Sequence, residues 1–255
     1  MNRPLKCLVT LSAVLLVSGC GKPQKAAPIS AAPQLSKVQH NPGEEFTAWV
    51  ICIDTSRSPL RDEFGKLKGV IRESIETDID FNDLVWIVRI GDQFHPASSF
   101  QMPARGRTRS ERERSAVQLR EAKQDVLKEV EGLQQVAGMT DLRNPIGLAL
   151  NILVNQRAKR KFLVIGSDFV QDGNGIITSA PPKSTEGLSA KDVNVTLLLT
   201  YPDAKYLKTL GISETELLRG LREQWTEYFK GLGAVKIVAE LIDAVPDARE
   251  GNTGR

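Results

Sequence analysis

The stretch "FTAWVICIDTSRSP", residues 46–59, decides the fold. It begins as a continuous apolar run, ends on Asp54, and then carries hydroxyl groups at Ser56 and Ser58 before Pro59. An unbroken apolar run of this length is typical of a strand that is buried on both faces, as in a parallel sheet. Proline is favoured in the first turn of a helix. The stretch therefore predicts a buried strand and then a helix, with an acid and two hydroxyls at their junction.

Four more apolar runs of strand length follow along the chain. They are "DLVWIVRIGD" (83–92), "KFLVIGSD" (161–168), "VNVTLLLTY" (193–201) and "AVKIVAEL" (234–241), the last of which could also form a helix, although a strand is favoured. Between them, apolar residues recur three or four positions apart, which is the spacing of amphipathic helices. Two of these helices are predicted to start at capping boxes, Ser110 with Glu113 and Ser213 with Glu216.

Buried strands that alternate with helices predict an α/β domain with a doubly wound, mostly parallel sheet flanked by helices. We assign this domain to residues 46–245. Within it, a short edge strand is expected in 93–109 and a long loop at 169–191. Residues 246–255 are expected to be a disordered tail.

The first twenty residues, "MNRPLKCLVTLSAVLLVSGC", have the layout of a secretory leader: basic residues, a short apolar core, and then small residues. The apolar core is short for a membrane span. Its end, "LVSGC" (16–20), resembles the lipobox of bacterial lipoproteins. That resemblance implies a signal peptide at 1–19 and a lipid on Cys20, which would become the first residue of the mature chain.

Residues 20–45 are expected to form a disordered tether between the lipid and the domain, because they are rich in Pro, Ala, Gln and Ser and poor in large apolar side chains. The expected location is a bacterial membrane, reached through this lipid anchor. Gly21, rather than an aspartate, follows Cys20, which favours the outer membrane if the host is Gram-negative.

The charge balance argues against a nucleic-acid-binding protein. The net charge is +3, and loss of the leader with Arg3 and Lys6 leaves 32 basic against 31 acidic residues. A nucleic-acid-binding domain usually has a clear basic excess. The one local exception is a cluster at Arg105, Arg107, Arg109, Arg112 and Arg114. It is interpreted as a solvated loop and helix start, with binding to a polyanionic surface as the alternative.

Oxygen-bearing side chains follow two of the predicted strands and lie in a loop between them. Asp54 ends the first run, Asp168 ends "KFLVIGSD", and Thr140 lies in "GMTD" before a predicted helix. In doubly wound sheets, ligands bind beyond the carboxyl ends of the strands. These side chains are therefore expected at one edge of the sheet, although each of them alone is also ordinary turn or capping chemistry.

This set resembles the metal-ion-dependent adhesion site of von Willebrand factor type A domains. That family carries D-x-S-x-S after the first strand, a loop threonine, and an aspartate after the fourth strand. Here they correspond to Asp54, Ser56 and Ser58, to Thr140, and to Asp168. The resemblance extends over roughly residues 46–240. It implies the family's Rossmann-like fold and its function in protein binding.

By this resemblance the five side chains would hold Mg²⁺, with Mn²⁺ or Ca²⁺ as alternatives. Magnesium prefers hard oxygen ligands and retains some of its waters. A partner protein would then present an acidic residue to the open position of the metal. The expected contact rim is Arg57, Asp141, Arg143 and Phe169. The cation of Arg57 lies inside the motif, so weak metal binding is expected.

Two other functions are open to this sequence. The first is a structural component of an envelope secretion, conjugation or pilus assembly with a vestigial metal site. The second is a phosphatase-like hydrolase, because "DTS" partly matches the nucleophile motif of dehalogenase-type phosphatases. Ser56 stands where that motif needs its acid, and the histidines and Cys52 are not arranged for nucleophilic catalysis. A non-enzymatic protein is therefore expected.

Overall fold

The computed structural model describes residues 45–56, 61–91, 95–136, 138, 140–173, 176–182, 185–202 and 204–242. Each of the five predicted apolar runs contains a strand. The strands are β1 (Thr47–Asp54), β2 (Leu84–Ile90), β3 (Ser98–Gln101), β4 (Arg160–Ser167), β5 (Gln171–Gly173), β6 (Ile176–Thr178), β7 (Val193–Leu199) and β8 (Lys236–Leu241). The helices are α1 (Arg61–Thr77), α2 (Arg109–Gly132), α3 (Arg143–Val154), α4 (Ala204–Leu210) and α5 (Glu214–Gly231).

Six strands form the main sheet, in the order β3-β2-β1-β4-β7-β8. All of its neighbouring pairs are parallel except β2 and the edge strand β3, which are antiparallel. Successive strands are added outward on one side from β1 and on the other side from β4. The order therefore reverses between β1 and β4, which is where doubly wound sheets bind ligands. The predicted fold class is confirmed.

Strand β1 is buried on both faces, as its continuous apolar run predicts. Trp49, Ile51 and Ile53 belong to a core cluster that also contains residues of α1 and α2. The alternate side chains Val50 and Cys52 are fully buried as well. Helix α3 packs on β1. Burial in this core raises the pKa of the Cys52 thiol far above its usual range.

Several local details differ from the sequence prediction. The capping box of α2 consists of Thr108 and Glu111, two residues before the predicted pair. The predicted loop at 169–191 contains the antiparallel hairpin of β5 and β6, and α4 was not predicted. The capping box of Ser213 with Glu216 is confirmed. No helix in the described ranges is long and apolar enough to cross a membrane.

A buried carboxylate holds the edge of the sheet at which β1 and β2 begin. Asp83 accepts hydrogen bonds from the backbone N–H of Thr47 (3.0 Å), the indole N–H of Trp49 (3.1 Å) and the backbone N–H of Asp80 (3.0 Å). Burial raises the pKa of Asp83, and these hydrogen bonds oppose that rise. The contacts fix the point at which the chain enters β1.

Candidate metal centre

Asp54 is the last residue of β1, and its side chain is fully buried. Its Oδ1 accepts the backbone N–H of Ser56 at 2.8 Å, and its Oδ2 accepts the hydroxyl of Ser167 at 2.5 Å. Burial raises the pKa of Asp54, while the hydrogen bonds from Ser167 and Ser56 lower it. A buried carboxylate with these donors has a fixed orientation at the end of its strand.

Asp168 directly follows β4, the strand that pairs with β1. The residue is fully buried, and its Oδ1 accepts the backbone N–H of Val170 at 3.0 Å. The preceding Ser167 donates its hydroxyl to Asp54, so the ends of β1 and β4 are joined by a side-chain hydrogen bond. The two candidate carboxylates thus flank the position where the strand order reverses.

Phe169 was expected at the contact rim, but it is fully buried. Its φ of 55° lies in the left-handed region, so the chain turns sharply after Asp168. Its backbone N–H donates to the hydroxyl of Ser167 at 2.9 Å. The ring packs edge-on against Trp225 with 4.9 Å between centroids. Phe169 therefore belongs to the core next to the site and does not form part of an exposed rim.

The segment between α2 and α3 runs along the ends of β1 and β2. The backbone N–H of Val136 donates to the carbonyl of Thr55 at 3.0 Å, and the Gln135 amide donates to the carbonyl of Ser56 at 3.1 Å. Further along, the backbone N–H of Asp141 donates to the carbonyl of Gly91 at 3.4 Å. These bonds bring the Thr140 loop to the edge that carries Asp54.

Thr140 is buried, with 4% of its surface exposed. The carboxylate of the adjacent Asp141 accepts the backbone N–H of Arg143 at 2.9 Å and the side-chain amide of Asn144 at 2.6 Å. Asp141 is half-buried and Arg143 is exposed. Asp141 therefore stabilises the start of α3, and its neighbour Thr140 lies in the turn just before that helix.

Four of the five predicted metal ligands lie in the described part of the chain: Asp54, Ser56, Thr140 and Asp168. All four are buried, and each belongs to a segment at the carboxyl edge of the sheet. Ser58 and Arg57 lie outside the described residues. In the described ranges, no group of three or more histidine, cysteine and carboxylate side chains is placed to hold a metal.

The donors present are the hard oxygens of two carboxylates and two hydroxyls, and such donors fit Mg²⁺ better than a softer transition metal. Asp54 and Asp168 each accept a backbone N–H from two residues further on, which leaves further lone pairs on both carboxylates. These residues therefore fit a hard divalent cation. Asp54, Ser56, Thr140 and Asp168 would hold it, with Ser58 as the fifth expected ligand.

Sequence reasoning missed three polar residues at this edge. Ser167 binds Asp54 directly. Thr200 is fully buried and donates its backbone N–H to the carbonyl of Ser167 at 3.1 Å, and within the described residues its hydroxyl has no hydrogen-bond partner. Glu63, near the start of α1, is 5% exposed and binds the ammonium of Lys66 at 2.6 Å. Ser167 was the most predictable, because it lies directly before Asp168 in a strand expected beside β1.

No protein-family model matches the sequence, and no curated protein matches it. Similar solved structures include the SpRpn10 VWA domain, with 12% identity, 78% of this chain and 89% of that chain covered, and a TM-score of 0.38. An aerotolerance-related membrane protein from Bacteroides fragilis NCTC 9343 has 16% identity, with 62% and 68% covered and a TM-score of 0.38. A von Willebrand factor type A structure from Catenulispora acidiphila has 15% identity, with 73% of this chain but 43% of that chain covered and a TM-score of 0.37.

Proposed function

We propose that this chain is a non-enzymatic, lipid-anchored protein of a bacterial envelope, whose von Willebrand factor type A-like domain binds a protein partner through a divalent cation. One observation carries the proposal. Asp54, Ser56, Thr140 and Asp168 come from three separate segments, and all four are buried at the carboxyl edge of the sheet, beside the reversal of strand order. Turn chemistry alone accounts for each residue singly, but it does not require all of them at this edge.

In this proposal Mg²⁺ is held by carboxylate and hydroxyl oxygens, and Mn²⁺ or Ca²⁺ are alternatives. The cation supplies an electron-poor position that attracts an acidic residue of the partner. Arg143 is exposed beside the Thr140 loop and would contact an acidic partner directly. Asp141 would act mainly by holding that loop, since its carboxylate already binds the start of α3.

The anchor is the second part of the proposal and is supported by sequence alone. The basic and apolar leader and the "LVSGC" motif favour a lipid on Cys20. A single acyl chain gives only marginal membrane binding, so stable anchoring requires the several chains that lipoproteins carry. The outer membrane is the favoured location in a Gram-negative host.

Magnesium-dependent melting tests the metal site. The unlipidated chain (Cys20→Ser) is melted with Mg²⁺ and with chelator, alone and with Asp168→Asn. A cation at about 100 times its dissociation constant stabilises by about 2.7 kcal/mol. That corresponds to roughly 5–11 °C at about 2–4 °C per kcal/mol, and we expect about half of it because of Arg57. Asp168→Asn should abolish the shift, while Asp192→Asn, a matched loss of charge at an exposed residue of the opposite edge, should retain it.

Partner capture tests the function itself. The chain is used to retain proteins from envelope extract, with Mg²⁺ or with chelator, and the capture is repeated with Asp168→Asn. A partner that is retained only with Mg²⁺, and lost in the variant, supports the proposal. Equal magnesium responses of the two proteins in melting, together with metal-independent capture, would refute it.

The alternative function, a structural component of an envelope assembly without a working metal site, has one observation in its favour. Asp54 is already bound by two donors of the protein itself, the Ser56 N–H and the Ser167 hydroxyl. A carboxylate satisfied in this way does not need a cation to be tolerated in the core. Capture of the same partner in chelator and in Mg²⁺ would support this alternative.

A further inference from the structure

Two groups of exposed cations lie at the edge of the sheet opposite to the candidate metal centre. The first group is the arginine cluster at the start of α2. The backbone N–H of Met102 donates to the carbonyl of Asp83 at 2.8 Å, and that of Asn82 donates to the carbonyl of Pro103 at 3.0 Å. The chain that leads into the cluster is thereby fixed beside the start of β2.

Arg105 also contacts residues that lie just before β2. Its guanidinium lies over the ring of Phe81, 5.0 Å from the centroid, and 3.9 Å from the carboxylate of Asp80. The cluster is therefore held at the edge where β1 and β2 begin, since Asp80 also donates its backbone N–H to Asp83. All five arginines, Arg105, Arg107, Arg109, Arg112 and Arg114, are exposed.

A second basic segment, "RAKRK" (157–161), leads into β4 at the same edge. The backbone N–H of Lys159 donates to the carbonyl of Phe46 at 3.0 Å. Arg160 pairs in register with Thr47, the first residue of β1. Arg157, Lys159 and Arg160 are exposed. Two basic segments therefore flank the point where the chain enters the domain.

Nearby acids neutralise only part of this charge. Arg109 pairs with Glu113 at 3.2 Å, and Lys159 pairs with Glu45 at 2.6 Å. The carboxylate of Glu111 accepts the backbone N–H of Thr108 and so belongs to the helix cap. At this edge Arg114 interacts electrostatically with Glu111, and four other exposed arginines have no ion pair with the described residues: Arg107, Arg112, Arg157 and Arg160. We define these four as the basic face.

The proposed lipid anchor indicates what the basic face binds. The sequence separates Cys20 from Glu45 by 25 positions, and the composition of this stretch predicts a tether chain rather than a folded domain. A domain tethered at Phe46 by such a chain would keep the basic face near the lipid surface. Guanidinium groups bind phosphate well because their donors match its oxygens in pairs.

We propose that the basic face binds the anionic phospholipid headgroups of the membrane in which the chain is anchored. This inference rests on the proposed anchor at Cys20. This contact orients the domain so that the edge of the sheet where β1 begins faces the membrane. The edge that carries Asp54 then faces the partner protein. Each basic residue near an anionic surface strengthens binding by about fivefold, and salt weakens the attraction because the Debye length is about 8 Å at physiological ionic strength.

Vesicle binding of the full chain with Cys20→Ser tests the inference without any contribution from the lipid. Vesicles of phosphatidylcholine with 30% phosphatidylglycerol are compared with phosphatidylcholine alone, by co-sedimentation at low and physiological salt. We expect binding to the anionic vesicles only, and weaker binding at higher salt. Arg107→Gln with Arg157→Gln should weaken it about 30-fold. Arg219→Gln with Arg222→Gln, the same charge change on exposed residues in the first half of α5, should leave it nearly unchanged.

The outcomes separate this inference from the proposed function. Absence of binding to anionic vesicles, or equal losses in the two double variants, would refute the basic face even if the lipidated chain stays in the membrane fraction. Tighter binding to a short DNA duplex than to the anionic vesicles at the same salt would assign the face to nucleic acid and would also refute it. The magnesium-dependent melting shift does not involve these arginines, so its loss would refute the metal site alone.

Discussion

Replacement of Ser167 by alanine should destabilise the domain strongly, although it removes a single oxygen atom. The Ser167 hydroxyl donates to the buried carboxylate of Asp54 at 2.5 Å and accepts the backbone N–H of Phe169 at 2.9 Å. A hydrogen bond to a charged group contributes about 1.5–3 kcal/mol, and a buried donor without a partner costs about 1–3 kcal/mol. We expect a total loss of about 3 kcal/mol, which corresponds to a decrease in melting temperature of roughly 6–12 °C.

Thermal melting in chelator measures this effect without a contribution from any metal. The control is Ser99→Ala, which removes the same atom from an exposed residue of the edge strand β3. Its effect should stay within about 0.5 kcal/mol. A melting temperature for Ser167→Ala within about 2 °C of the wild type would mean that this hydroxyl does not hold Asp54, and the reasoning about the site would fail.

Three further predictions concern other parts of the molecule. Asp83→Asn should cost about 1–2 kcal/mol in acid, below the unfolded pKa of the carboxyl, because the NH2 group of the amide cannot accept from the donors that the carboxyl oxygens bind. Burial raises the pKa of Asp83, so its contribution is fully present below the unfolded pKa of about 4 and is lost as the pH rises through the folded pKa. The difference in free energy of unfolding between the wild type and Asp83→Asn, measured by chemical unfolding, should therefore shrink as the pH rises over that range. A difference that grows would contradict this reasoning. Gly166→Ala should cost about 1–3 kcal/mol by overpacking, because an added Cβ would lie 2.3 Å from a methyl carbon of Leu67; an unchanged melting temperature would contradict the packing. Cys20→Ser should move the protein out of the membrane fraction after a salt wash, and its retention there would count against lipidation.

The fold was predictable because its decisive signals are local. The continuous apolar runs of β1 and β4 predict strands that are buried on both faces, and the polar residues that end them predict which edge carries the site. The start of α2 was less predictable, since Thr108 with Glu111 and Ser110 with Glu113 both satisfy the capping-box pattern. Which pair caps the helix depends on the conformation of the chain before it, and sequence spacing does not specify that conformation.

The contacts of the site depend on pairing and on backbone conformation, which the sequence does not display. The bond between Ser167 and Asp54 requires the register in which Ile53 pairs with Gly166. The burial of Phe169 requires its positive φ, which is uncommon for a residue with a side chain. A residue after a strand-end aspartate was reasonably expected to face solvent, but this turn directs the ring toward Trp225 instead.

Helix α2, like strand β4, links the two proposed surfaces directly. It begins in the arginine cluster, and the segment after it binds the carbonyls of Thr55 and Ser56. Coupling between two sites requires an element with two arrangements, each favoured by a different ligand. Val126 and Val130 of α2 are fully buried in the core cluster, and β4 is hydrogen-bonded between β1 and β7, so both elements are packed firmly in the domain. We therefore expect the proposed membrane contact at one edge to leave the proposed metal and partner binding at the other edge unchanged.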